Sequence, residues 1–184
     1  MLTELQKRKL MKLFCMYDAC NLGVLKIADF ERLAQQLAEL RGWKPGSVDY
    51  ERITSQYLFR WNRMRSEIKE TLNIRNDGRV NLDEWLTYYD IVLNDRSHEK
   101  ELLALAEAVF NVVDVDENGH LDKDEWTALF RAYNIPVIYV EETFTRIDLD
   151  GDGVLNKEEV LSMIREFYYS DDPNATGNYM FGPI

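Results

Sequence analysis

The sequence has few of the residues that nucleophilic and metal–sulfur chemistry require. It carries two histidines, His98 and His120, and two cysteines, Cys15 and Cys20. Neither histidine stands in a recognisable nucleophile motif with a Ser or Cys, so a catalytic triad has nothing to build on. The cysteines lie five residues apart with no C-x-x-C and no clustered His, which fails the zinc spacings and leaves reduced thiols as the expectation. No G-x-G-x-x-G or G-x-x-x-x-G-K-[ST] occurs, so nucleotide binding has no support. No apolar run approaches the roughly 18 residues of a membrane span. The opening MLTELQKRKLMKLF mixes Lys and Arg with Leu at helical spacing and lacks the unbroken apolar stretch of a secretory signal. A soluble, cytoplasmic chain is expected. Basic charge is also short: 22 Lys and Arg against 33 Asp and Glu give a net charge of −11. That balance works against phosphate backbones and anionic lipid surfaces, so nucleic acid is not an expected partner.

What is present is core-forming side chain and unevenly placed acid. Apolar residues make up 46% and aromatics 12% of the 184 residues, enough to build a packed core. Residues 1–92 hold 15 basic and 13 acidic side chains, whereas residues 93–184 hold 7 and 20. Within the second half the carboxylates bunch in DVDENGHLDKDE (114–125) and DLDGDGVLNKEE (148–159). Like charges held this close repel more strongly as water is excluded, so a fold that gathers them needs a cation.

Both segments match the 12-residue EF-hand calcium loop, whose positions 1, 3, 5, 7, 9 and 12 supply the six to eight oxygens that calcium prefers. In the first, Asp114, Asp116 and Asn118 offer side-chain oxygens, His120 its main-chain carbonyl, Asp122 the ninth position and Glu125 a two-oxygen contact. In the second, Asp148, Asp150, Asp152, Val154 (carbonyl), Asn156 and Glu159 take the same places. Gly119 and Gly153 permit the sharp turn at position 6. Leu121 and Leu155 at position 8 are expected to pair across the loops in a short β-bridge. The flanks fit helices: Phe110 and Val113, and Phe144 and Ile147, precede the first ligands, whereas Trp126, Leu129 and Phe130, and Val160, Ile164 and Phe167, follow at helical spacing. Ordinary acidic turns would not reproduce the complete pattern twice, 34 residues apart.

Two degraded copies lie earlier in the chain. DACNLGVLKIAD (18–29) keeps Asp18, Gly23, Leu25 and Asp29, but Cys20 and Leu22 replace oxygen ligands and Lys26 brings an ammonium to the ninth position. NIRNDGRVNLDE (73–84) keeps Asn73, Asp77, Gly78, Val80, Asn81 and Glu84, but carries Arg75 at the third position, where its guanidinium is expected to act as a built-in counter-charge. Both copies read as structural, the second closer to weak binding than the first.

The spacing then predicts an all-α fold of four helix–loop–helix units in two pairs forming one compact globule, with short β-bridges between paired loops. Expected boundaries are residues 1–93 for the first pair, 98–169 for the second and 170–184 for an apolar tail that plugs a groove. The first interval is longer, and its insertion holds a Pro45–Gly46 break, a Ser47 cap and a long helix with Ile53, Tyr57, Trp61 and Met64 on one face. Trp43, Trp61, Trp85 and Trp126 are expected in the core, and Ser97 at the junction 94–100 is expected to cap the next helix.

Four such units, the long spacer and the tail YYSDDPNATGNYMFGPI together resemble the sarcoplasmic calcium-binding protein family, with its calexcitin-like and calerythrin-like members. The resemblance implies a compact all-α, non-enzymatic protein that buffers calcium or takes part in calcium signalling. Members often bind a third ion in the first loop, which Cys20, Leu22 and Lys26 oppose here. Coelenterazine-binding proteins and photoproteins share the architecture but use core histidines, whereas His120 lies in a loop and His98 at the junction. The expected cofactor is Ca2+, two ions, with Mg2+ as competitor in the intact loops. A monomer is expected, and a tail already seated in its groove favours a buffer over a calcium-switched sensor that opens to a target protein.

Overall fold

The computed structural model describes residues 1–73 and 77–184. Short local signals start its helices. Thr3 caps α1 (Glu4–Tyr17) in a reciprocal box with Gln6. The chain then runs through β1 (Val24–Leu25), α2 (Ile27–Leu40), α3 (Val48–Leu72), β2 (Val80–Asn81) and α4 (Leu82–Asn94). Ser47 caps α3, its hydroxyl accepting from the Tyr50 amide. The second half repeats the order with α5 (Glu99–Val113), β3 (His120–Leu121), α6 (Lys123–Ala132), α7 (Val140–Ile147), β4 (Leu155–Asn156) and α8 (Lys157–Tyr169).

The strands join the units in two pairs, as expected. β1 runs antiparallel to β2 with Leu25 opposite Val80, and β3 to β4 with Leu121 opposite Leu155. All four of these position-8 side chains are buried, so each bridge is also the floor of a core. The residues flanking the two acidic loops, Phe110, Val113, Trp126, Phe130, Phe144, Ile147 and Phe167, are buried as their spacing predicts.

Two expectations need correction. Trp61, Trp85 and Trp126 are core residues, but Trp43 is only partly buried, beneath the Arg41 guanidinium at 5.4 Å. Ser97 does not cap α5. Asp95 instead accepts from the Ser97 amide and starts a short 3-10 turn, Arg96–His98, that leads into the helix.

Residues 170–184 fold back on the body. Met180 and Phe181 are buried, the Phe181 ring standing edge-on to Phe167 with centroids 5.1 Å apart. Burial of two such side chains contributes roughly 1.5–3 kcal/mol each. Lys9 of α1, itself buried, donates to the Ser170 carbonyl (2.8 Å) and the Asn178 amide oxygen (3.1 Å). Lys12 donates to the Pro183 carbonyl at 2.6 Å. The segment therefore ties the first helix to the last. Among the described residues no helix is long and apolar enough to cross a membrane.

Candidate metal centre

Each acidic loop is shaped by its first carboxylate. Asp114 accepts from the amides of Asn118 and Gly119, both at 3.0 Å. Asp148 accepts likewise from Asp152 (3.1 Å) and Gly153 (3.0 Å), and also from Gly151 at 2.8 Å. Gly119 and Gly153 have φ of 85° and 86°, the left-handed backbone this turn demands. Asn118 Oδ1 accepts from the His120 amide at 2.8 Å, and Asp152 Oδ1 from the Val154 amide at 3.0 Å.

The far end of each loop coincides with the start of a helix. Asp122 and Glu125 form a reciprocal capping box at the head of α6, and Asn156 and Glu159 form the same box on α8. Position 12 of the loop is thus the third residue of the helix, where the dipole already favours a carboxylate. One more bond folds each glutamate back over its loop: the Val115 amide donates to Glu125 at 2.6 Å and the Leu149 amide to Glu159 at 3.4 Å.

This geometry gathers Asp114, Asp116 and Glu125 in one group and Asp148, Asp150 and Asp152 in another, the oxygens of each lying within 4.8 Å of one another. The donors are all oxygen, which suits a hard divalent cation and excludes a thiophilic one. Three carboxylates at this separation repel one another, and a divalent ion would offset that repulsion. Asn118, Asp122, Asn156 and Glu159 stand on the same loops within the hydrogen-bond frame just described. His120 and Val154 sit at or beside the bridge strands, where their carbonyls are the sequence-predicted contacts.

The first degraded copy keeps the frame without the charge. Asp18 accepts from the Leu22 (2.9 Å) and Gly23 (2.7 Å) amides, the pattern seen at Asp114 and Asp148. One aspartate and five or six residues of backbone therefore hold the turn by themselves. Cys20 and Leu22 point to solvent, and the Lys26 amide donates to Asp29 at 2.7 Å.

In the second copy the Arg75 expectation lies outside the described residues. A different arginine serves this loop. Arg65 of α3, buried, donates to the Arg79 carbonyl at position 7 and lies 3.7 Å from the Asp77 carboxylate at position 5. Asn81 and Glu84 retain the capping box on α4.

Residues 103–167 match the model of the EF-hand domain pair. Calerythrin of Saccharopolyspora erythraea is 23% identical over 172 residues, spanning 92% of this chain and 95% of its own. Residues 103–167 form an EF-hand pair. Over its whole length the chain is similar to calerythrin, and its fold is that of the sarcoplasmic calcium-binding proteins. The sarcoplasmic calcium-binding protein of amphioxus superposes with a TM-score of 0.73 at 18% identity, over 100% of both chains. Berovin, a ctenophore photoprotein solved with magnesium in all three of its calcium-binding loops, superposes with a TM-score of 0.66 at 16% identity, covering 91% of this EF-hand chain and 88% of its own.

Three arginine contacts, made by Arg41, Arg65 and Arg63, have no local sequence signal. Arg41, at the end of α2, donates to the Asp114 carbonyl at 2.6 Å and pairs with Glu117. Arg65 reaches loop two from α3. His98, at the junction as its position in the sequence indicates, is buried, with Nδ1 3.3 Å from Arg63 and Nε2 3.6 Å from Asp95. Partners far along the chain are invisible to spacing arguments.

Proposed function

We propose that the protein is a non-enzymatic calcium buffer holding two ions, one at residues 114–125 and one at 148–159. The first ion would take side-chain oxygens of Asp114, Asp116, Asn118, Asp122 and Glu125 and the carbonyl of His120. The second would take Asp148, Asp150, Asp152, Asn156 and Glu159 and the carbonyl of Val154. The observation that carries this reading is a contrast between loops of one shape. Loops one, three and four share the aspartate-centred turn, yet among the described residues only loops three and four gather three carboxylates. Shape without charge is scaffolding; shape with charge is a site.

Loop one would bind no ion, because sulfur, a methyl-rich side chain and an ammonium replace its oxygens. Loop two would also serve as structure, since the charge and hydrogen bonds of Arg65 already occupy Asp77 and the Arg79 carbonyl. Residues 1–93 thus form a supporting pair, 98–169 the binding pair and 170–184 the strap that joins them. Magnesium, which can use the same oxygens with one-oxygen contact from Glu125 or Glu159, would compete at low calcium. A monomer in the cytoplasm fits the charge and the thiols.

Buffering is favoured over switching by the buried Met180 and Phe181, which fill the surface a target helix would need. A sensor that expels the tail on binding calcium is the alternative. Calorimetric titration with magnesium present tests stoichiometry: two ions are expected, falling to one in Glu159→Gln, and an unchanged stoichiometry in that variant refutes the ligand assignment. A hydrophobic dye separates buffer from sensor. Calcium-dependent dye binding by the intact chain would establish the switch instead.

A further inference from the structure

A pocket of about 250 Å³ opens between α3, α4 and α5, away from all four loops. Its wall is mostly apolar, with Phe59, Val92, Leu105 and Tyr88 among the lining residues, and it also carries the exposed Ser55 and Ala104. Phe59 is 59% exposed, a large cost in hydration for a side chain with no partner.

The charge lining this pocket is unbalanced. Arg63 is neutralised, pairing with Glu101 and lying 3.8 Å from Glu67. Arg60 is not: among the described residues no carboxylate lies within ion-pairing distance of it. Only its Nη2 has acceptors, the hydroxyls of Tyr89 and, at 3.5 Å, Tyr168. Nη1 and Nε have none among the described residues. Arginine stays protonated at physiological pH whatever its surroundings, so Arg60 carries its full charge. Tyr88, Tyr17 and Tyr168 are neutral at physiological pH, burial pushing Tyr88 up to about 12 and the other two well above their ordinary value. Arg60 is therefore a full charge countered by dipoles alone, and it lines both this pocket and a smaller core space of about 60 Å³. Its remaining nitrogens are not sealed from solvent, so an anion that enters the pocket can reach them.

We propose that the pocket binds a small aromatic carboxylate, its ring against Phe59, Val92 and Leu105 and its carboxylate on an unpartnered N–H of Arg60. A charge-assisted N–H···O bond from a guanidinium is stronger to a carboxylate than to a neutral amide, which distinguishes an acid from an amide of the same shape. The volume lies just below the range of drug-sized sites, which fits one bicyclic aromatic acid and leaves no room for a long acyl chain. Arg63 with Glu101 contributes no net charge, so a monoanion balances the site where a dianion would not.

The test uses the full chain, calcium-loaded, with 2-naphthoate as probe and 2-naphthamide as its neutral counterpart, by calorimetry and by amide chemical shifts. One-to-one binding of the acid is expected, at least tenfold tighter than the amide, with shifts centred on Phe59, Val92 and Leu105. Arg60→Gln should bring the acid down to the amide. Ala104→Trp, at an exposed lining position that leaves the core untouched, should abolish binding of both and keeps the test decisive if the Arg60 variant does not fold. Equal affinity for acid and amide in the wild type, no binding of the acid at millimolar concentration, or undiminished binding in Ala104→Trp would each overturn the proposal.

Discussion

The Arg41 guanidinium at the end of α2 donates to the main-chain carbonyl of Asp114, the first residue of the third loop, at 2.6 Å. It also reaches the Asn111 carbonyl at 3.3 Å and the Glu117 carboxylate. One side chain from the first half thus caps the last carbonyls of α5 and braces the loop that follows. A cation in that position also complements the negative end of the helix dipole.

Arg41→Ala should therefore destabilise the calcium-free protein by about 1.5–3 kcal/mol, the range for hydrogen bonds made by a charged group. Urea unfolding gives the number. Arg41→Lys should recover only part of it, because an ammonium cannot span two carbonyls and a carboxylate at once. A loss below about 0.5 kcal/mol would reduce the contact to an ordinary surface pair.

Gly177 presses the tail onto α8. A Cβ there would lie 2.7 Å from the Met163 carbonyl oxygen and 2.8 Å from the Phe167 nitrogen, which is main chain that cannot step aside. Gly177→Ala should lift the segment that carries Met180 and Phe181, costing about 1–3 kcal/mol, and should make the protein bind a hydrophobic dye without calcium. Under the buffer reading its calcium stoichiometry stays at the wild-type value.

Alkaline unfolding follows from the tyrosines. Burial holds Tyr17, Tyr57 and Tyr168 well above their ordinary value and pushes Tyr88 and Tyr133 up to about 12. As pH rises through the ordinary tyrosine value of 10.0, the unfolded chain loses these protons while the folded chain keeps them, so folding stability falls. Absorbance at the phenolate band should show these five side chains, of ten tyrosines in all, ionising only together with unfolding. Smooth ionisation of all ten with the fold intact contradicts that.

Lys9 works in the opposite sense. Burial lowers it to about 8, against the raising influence of Asp171 and Glu166. Between pH 8 and its unfolded value of 10.5 the unfolded chain binds the proton that the folded chain has lost, so this residue adds stability as pH rises. Relative to Lys9→Met, the wild type should gain about 2 kcal/mol between about pH 8 and 9.5 in denaturant unfolding. A difference independent of pH would mean that Lys9 titrates as an exposed lysine does.

The intact loops were legible because each of their slots is filled by a residue within twelve of its neighbours, and because the same carboxylate that closes the loop also starts a helix. The paired Leu121 and Leu155, and the apolar residues flanking both loops, follow from period alone. Trp43 and Ser97 depart from the local pattern for a different reason: the Arg41 guanidinium lies over the partly exposed Trp43 ring, and Asp95 outcompetes Ser97 as a cap. Arg41, Arg60 and Arg65 escaped notice altogether. Each acts on groups set beside it by tertiary folding, and nothing in an arginine's local surroundings marks it for that.

The account rests on two divalent ions in the second pair of loops, and anomalous scattering from crystals soaked in calcium examines it most directly. The expected map has one peak within Asp114–Glu125 and one within Asp148–Glu159, each about 2.3–2.6 Å from the carboxylate oxygens, and none at residues 18–29. Vacancy of both acidic loops in such crystals would contradict it.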